Sequence, residues 1–326
     1  MASTAQMAGP ADDPHGREAA SPLSFPRRAW REVLGRVWVK TGDDNISLMA
    51  AGVAFYAFLA FVPLLAALIM TYGLIADPST IADHMRAIIR LVPKDAAKLI
   101  LDQIVSLVTA STGKKGLGLL VALLISIYGA TRASGAIMMA LNVVYEQRER
   151  RSLVKTTFIS FVMILAAIAV AVVGLLAASV LALLGKWANR LGDVTTITIG
   201  AATWLIAAAL ACVAIGAAYR YAPDRHDAQW RWISLGSVLA TFLWLLATLG
   251  FGAYAATIGN YNATYGSLGA VVVLLMWLYV SAYAILLGAS INAETERQVE
   301  ADTTTGHPKP LGARGATVAD EVAPES

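Results

Sequence analysis

Residues 156–184 read TTFISFVMILAAIAVAVVGLLAASVLALL, twenty-nine positions with no charged residue and no proline. At about 1.5 Å of rise per residue a helix of this length exceeds the roughly 30 Å of a bilayer's hydrocarbon. In lipid every backbone N–H and C=O must find its partner inside the segment, so the stretch predicts a helix and not a strand. Five further apolar runs lie around it, at about 46–76, 117–141, 197–219, 232–257 and 267–291. The sequence therefore predicts an all-α, polytopic membrane bundle of about six transmembrane helices.

Composition agrees. The chain has 326 residues, 57% of them hydrophobic and 14% charged, where a soluble domain carries about 25% charge. A net charge of +3 is too small for a nucleic-acid binder, whose basic face must neutralise several phosphates. The single cysteine, Cys212, sits in an apolar run, reads as a small buried hydrophobe, and excludes a disulfide within the chain. Residues 1–26 hold no apolar stretch of signal-peptide type, so the first span is expected to act as the insertion signal.

Residues 1–26 read as a disordered cytoplasmic tail. In residues 27–42, Trp30, Val33, Leu34, Val37 and Trp38 form one apolar helical stripe, with Arg27, Arg28, Arg31 and Lys40 mostly elsewhere. That pattern suits either an interfacial amphipathic helix or a helix packed on the end of the bundle. Residues 43–296 form the membrane domain. Its external loop, 77–115, carries two amphipathic stretches separated by Pro93 and predicts two short helices outside the bilayer. Residues 297–326 are polar and predict a second disordered cytoplasmic tail. With both termini cytoplasmic, the inside segments hold sixteen Lys and Arg and the outside segments eight. This two-to-one bias sets the predicted orientation.

Several motifs resemble the YihY/BrkB family. They are Ala50-Ala51-Gly52-Val53-Ala54-Phe55-Tyr56 followed by Pro63; Thr131-Arg132-Ala133-Ser134 with Ala140-Leu141-Asn142-Val143-Val144-Tyr145; and Tyr219-Arg220-Tyr221-Ala222-Pro223. The most specific block runs Tyr261-Asn262-Ala263-Thr264-Tyr265-Gly266-Ser267-Leu268-Gly269-Ala270, then Trp277-Leu278-Tyr279, Gly288-Ala289 and Asn292-Ala293-Glu294. The resemblance spans about residues 43–297. It implies a six-span protein of the bacterial inner membrane. It also implies an old label, ribonuclease BN, and a suspected role in transport or envelope-lipid handling.

Arg132 is the one charge well inside a span, where charges are costly and usually functional. The alternative is snorkelling towards headgroups. Asn142 and Tyr145 continue the same helix and are read with Arg132 as the lining of a cytoplasm-facing polar cavity, against a plain helix–helix hydrogen bond. Tyr56 is carried as a cavity candidate, with packing beside Gly52 as the alternative. Asn262 and Tyr265 lie in a polar segment between the last two spans, either a tight turn or an outer gate. Glu294, at the inner end of the last span, is expected to face Arg132 or Arg220, or to be solvated. The four histidines, His15, His84, His226 and His307, are scattered and offer no zinc-ligand spacing, and no Walker A pattern is present. The expectation is therefore no catalytic residue, no metal and no cofactor. The leading function is binding or transport of a small or amphiphilic solute, anionic or lipid-like, through a polar cavity. A non-transporting envelope scaffold is the alternative, and an RNA-processing nuclease a distant third. The expected partners are the lipid bilayer and an unidentified solute, without nucleic acid, and oligomerisation is left open.

Overall fold

The computed structural model describes residues 13–75, 115–188, 193–257 and 267–324. The order along them is α1 (Arg27–Asp43), α2 (Ile46–Ile75), α3 (Lys115–Val144), α4 (Leu153–Ala188), α5 (Asp193–Tyr221), α6 (Trp230–Thr257), α7 (Ser267–Arg297) and a one-turn α8 (Thr317–Asp320). Among the described residues, five windows are long and apolar enough to cross a membrane: Leu124–Val144, Leu153–Val170, Ile197–Tyr221, Trp230–Ala253 and Val271–Arg297. The count reaches six when α1 and the start of α2 are taken together across their break. The helical membrane bundle read from the sequence is thus the observed fold. The two short helices expected within 77–115 fall on residues outside those described.

The break between α1 and α2 has a local cause. Asn45 adopts φ of 51°, a left-handed conformation that asparagine tolerates better than most residues. A helix cannot continue through it, so the chain changes direction just before the apolar α2.

The molecule divides into two compact units. One comprises Met1–Ser47, Met138–Phe242 and Ala284–Ser326, and the other Leu48–Ile137 and Leu243–Tyr283. In the second unit α2 and α3 approach closely at Gly129, where an added Cβ would stand 2.8 Å from the Ala60 Cα. Trp277 donates from its indole N–H to the Thr248 hydroxyl at 3.2 Å.

The first unit has a small apolar core. Ala29, Val33 and Val37, four residues apart along α1, are buried against Phe25, Trp232, Ile291 and Val299. The predicted stripe of α1 is therefore divided. Val33 and Val37 pack on the unit, while Leu34 and Trp38 are exposed. Deeper in, α6 and α7 meet at Gly236 and Gly288, where neither helix has room for a methyl group. Small residues at a crossing let backbones approach. Asn292 stitches this crossing, accepting from the Gly236 N–H at 2.7 Å and donating to the Ile233 carbonyl at 3.1 Å.

The C-terminal segment departs from expectation. Instead of a disordered tail, residues 297–324 are packed on the first unit. Arg314 is only 4% exposed. Its guanidinium donates to the carbonyls of Ala319 at 2.6 Å, Ala301 at 3.1 Å and Lys309 at 3.2 Å, and also to that of Glu300. Thr304 bridges to Ala228, and Ala323 N–H donates to the Arg297 carbonyl at 3.0 Å. The N-terminal segment joins the same assembly from residue 13 onward, with the Gln298 amide donating to the His15 carbonyl at 2.7 Å. Apolar composition was the wrong guide here, because backbone carbonyls satisfied by one buried arginine hold the segment.

Candidate functional site

Two polar constellations stand out, both in the first unit. One is closed and surrounds Asn142 and Tyr145. The Asn142 side chain donates to Glu149 at 3.0 Å and accepts from the Asp224 N–H at 2.7 Å. Glu149 in turn receives two bonds from Arg151, at 2.7 and 2.6 Å, in the paired geometry that a planar guanidinium allows. Those bonds from Arg151 hold the Glu149 carboxyl below its usual range despite partial burial. Asn142 thus ties the loop after α3 to the loop after α5.

Next to it lies a buried ion pair. Arg225 donates to Glu296 at 2.6 Å, with the two side chains 1% and 0% exposed. The Arg225 guanidinium also stands over the Tyr145 ring at 4.7 Å, and Thr303 donates to the same Glu296 oxygen at 3.0 Å. Burial alone works against the charge on Arg225, but the adjoining Glu296 carboxylate more than reverses this and holds its pKa above the ordinary value. Burial pushes the Tyr145 phenol up, and the charge of Glu296 adds to it. The Tyr145 hydroxyl, one Nη of Arg225 and one carboxylate oxygen of Glu296 are buried without a hydrogen-bond partner among the described residues.

The second constellation is open. A cavity of about 790 Å³ is lined by Arg28, Arg31, Glu32, Gly35, Arg36, Val39, Lys40, Glu294 and Arg297. One face of α1 supplies most of the wall and the end of α7 the rest. Arg36 reaches Glu294 at 2.7 Å and Gln298 at 2.6 Å. Lys40 and Arg297 share Glu146 beyond the wall, the latter at 2.6 Å. Arg28 pairs with Glu32 at 3.3 Å. Arg31, exposed on the rim, has no carboxylate partner among the described residues. Five cations and two carboxylates line this space, so its surplus of charge is positive.

The predicted residues are distributed as follows. Glu294 lines the cavity and is 1% exposed, but its partners are Arg36 and Arg297, at 2.7 and 3.6 Å, and not Arg132 or Arg220. Arg220 instead donates to the Ala228 carbonyl at 2.9 Å and lies over the Trp230 ring. Asn142 and Tyr145 come together, but in the closed network and not as a cavity lining. Arg132 belongs to the other unit, is exposed, and stands over the Tyr128 ring at 5.1 Å. Along the chain the three positions point in different directions. At about 100° per residue, positions ten and thirteen residues on lie about 80° and about 140° round from Arg132. Met139, which does share its stripe, is exposed like it. Tyr56 is on the surface of the second unit with its ring edge against Phe55. Asn262 and Tyr265 lie outside the described residues. The Arg225–Glu296 pair and the basic wall of α1 are not visible in the sequence, where the α1 stripe suits an interfacial helix and a helix packed on the bundle end equally. Among the described residues no group of three His, Cys or carboxylate side chains is arranged for a metal.

A model of the family described as Virulence factor BrkB matches residues 37–311. The chain is 27% identical to a protein of Bacillus subtilis named as ribonuclease-like, YfkH, over 81% of this chain and 93% of that one. It is 26% identical to a UPF0761 membrane protein of Cronobacter sakazakii over 82% and 88%. It is 27% identical to a UPF0761 membrane protein of Rhodospirillum centenum over 81% of this chain and 56% of that longer one. No solved structure matches.

Proposed function

Because the chain belongs to the Virulence factor BrkB family and is a multi-pass membrane protein, we propose that it binds, as a step in holding or moving it at the bacterial inner membrane, a small or amphiphilic anionic solute. The observation that carries this reading is the cavity walled by Arg28, Arg31, Arg36, Lys40 and Arg297 against only Glu32 and Glu294. Cations concentrated in a partly enclosed space attract an anion more strongly than the same charges spread over a surface, because the low-dielectric walls focus their field. Arginine forks add geometry, since they match phosphate and carboxylate oxygens in pairs.

Arg132 supports the movement part of the reading from the other unit. It lies eight residues from Leu124 and twelve from Val144 within its span, about 12 Å and about 18 Å along the axis. That is far from either end for simple snorkelling, so its charge is available to an anion crossing the bilayer. The two-to-one basic bias supports cytoplasmic termini, and with that orientation the cavity opens on the cytoplasmic face.

A second reading, an envelope scaffold, draws on the closed network around Asn142 and Arg225, which resembles a structural knot more than a binding site. A ribonuclease-like role comes only from the name of one relative. Titration of the detergent-purified protein with dodecyl phosphate and with dodecanol separates the first two. The anionic amphiphile should bind at least tenfold tighter, and the double variant Arg31→Glu, Arg28→Glu should abolish the difference. Equal affinity for both compounds would leave the scaffold as the better account.

A further inference from the structure

The exposed side of α1 narrows what the cavity takes. Leu34 and Trp38 are one turn apart and exposed, Trp38 to 83%. Arg31 precedes both in sequence, by three and by seven residues, so it borders their stripe. The polar wall begins on the other side of Arg31 with Gly35 and Arg28. Around this one helix, an apolar strip thus passes directly into a cationic recess. What covers the strip follows from the chain itself. Only Asp44 and Asn45 separate α1 from α2, a thirty-residue helix without a charge. The C-terminal end of α1 therefore lies beside the start of that apolar helix, and an exposed apolar strip so placed suits the acyl and headgroup boundary of a leaflet.

We infer that the cavity is the headgroup site of an anionic phospholipid from the surrounding leaflet, its phosphate on Arg31 and Arg28 and its acyl chains along Leu34 and Trp38. The inference rests on the anion-binding reading above and adds the source of the anion. A phosphodiester suits the site: its two free oxygens match a guanidinium fork, and its place at the bilayer surface puts it at the height of α1. A water-borne anion would make no use of an exposed tryptophan beside the recess. Gly35 on the wall gives the headgroup room, since a Cβ there meets nothing within 4 Å.

The test is native mass spectrometry of the full chain released from nanodiscs of equal parts dioleoyl phosphatidylglycerol and dioleoyl phosphatidylcholine, with soluble glycerol phosphate titrated separately. The expected result is about tenfold enrichment of phosphatidylglycerol on the wild type. Arg31→Glu should remove that enrichment. Trp38→Ser, at a position exposed enough to leave the fold intact, should reduce retention of phosphatidylglycerol and leave glycerol phosphate binding unchanged. Glycerol phosphate binding as tight as the lipid and blind to Trp38→Ser overturns the lipid source while the anion reading stands. Absence of both enrichment and glycerol phosphate binding overturns the two together. Enrichment unaffected by either substitution places the lipid elsewhere and also ends the proposal.

Discussion

At Gly288 the whole crossing of α6 and α7 depends on a missing methyl group. A Cβ there would stand 2.5 Å from the Gly236 carbonyl oxygen and 2.7 Å from the Tyr219 hydroxyl. Both neighbours are fixed, the tyrosine by its bond to the Ile285 carbonyl at 2.5 Å. Gly288→Val should therefore separate the helices and cost more than the roughly 1–3 kcal/mol of ordinary overpacking, read as loss of monodisperse protein in detergent. The buried Arg225–Glu296 pair makes a different prediction. Arg225→Met or Glu296→Leu alone leaves one buried charge without its partner and should cost about 3–5 kcal/mol, whereas the double variant should recover most of the loss. Thermal unfolding of the three variants checks this, and additive single effects would contradict it. Residue identity was the least legible level of the sequence. Arg132, Asn142 and Glu294 stand out in the sequence, but Asn142 is held by Asp224, 82 residues away, Glu294 by Arg36, 258 residues away, and Arg132 meets the ring of Tyr128 on its own helix. Spacing along one helix carries no information about the two long-range pairs.

The helices themselves were legible, because their length and apolar runs are set by the thickness of the bilayer. The terminal segments were not. Their polar composition matches disorder, yet Arg314 gathers four backbone carbonyls and both segments close over the same end of the first unit. Hydrogen bonds to a charged donor contribute about 1.5–3 kcal/mol each and are not additive, so Arg314→Ala should cost about 3 kcal/mol and lower the unfolding temperature by several degrees. An unchanged melt would show that the segment is held by other contacts. Acid should act on the same region. Hydrogen bonds from Thr304 and Lys309 hold Asp302 below its usual carboxyl range against the opposing effect of burial, and Arg151 does the same for Glu149. A group with a lowered folded pKa contributes stability that is complete above its unfolded value, about 4, and is lost as pH falls through the folded one. The unfolding temperature should accordingly hold from neutral pH down to about 5 and fall below about 4. A melt that rises on acidification would contradict the sign.

For the molecule as a whole, family membership and the five to six candidate spans among the described residues make it a multi-pass membrane protein, and orientation decides which side its cavity faces. Single cysteines placed near Arg150 and Arg225, in a Cys212→Ser background, should react with a membrane-impermeant maleimide only after the membrane is opened, and one placed near Lys94 should react in intact cells. The reverse pattern would put the cavity on the outer face. Arg132 tests passage across the bilayer. Arg132→Lys should keep abundance and lose function, because a point charge replaces a planar fork, and full function in both Arg132→Lys and Arg132→Leu would remove it from any path. The recess between α1 and the end of α7 should hold an anion. The most direct measurement is an electron cryomicroscopy map of the protein in nanodiscs containing phosphatidylglycerol. Headgroup density is expected within hydrogen-bond distance of Arg31 and Arg28, continuous with chain density along Leu34 and Trp38. Ordered lipid elsewhere on the protein, with this recess empty or filled by its own side chains, would contradict it.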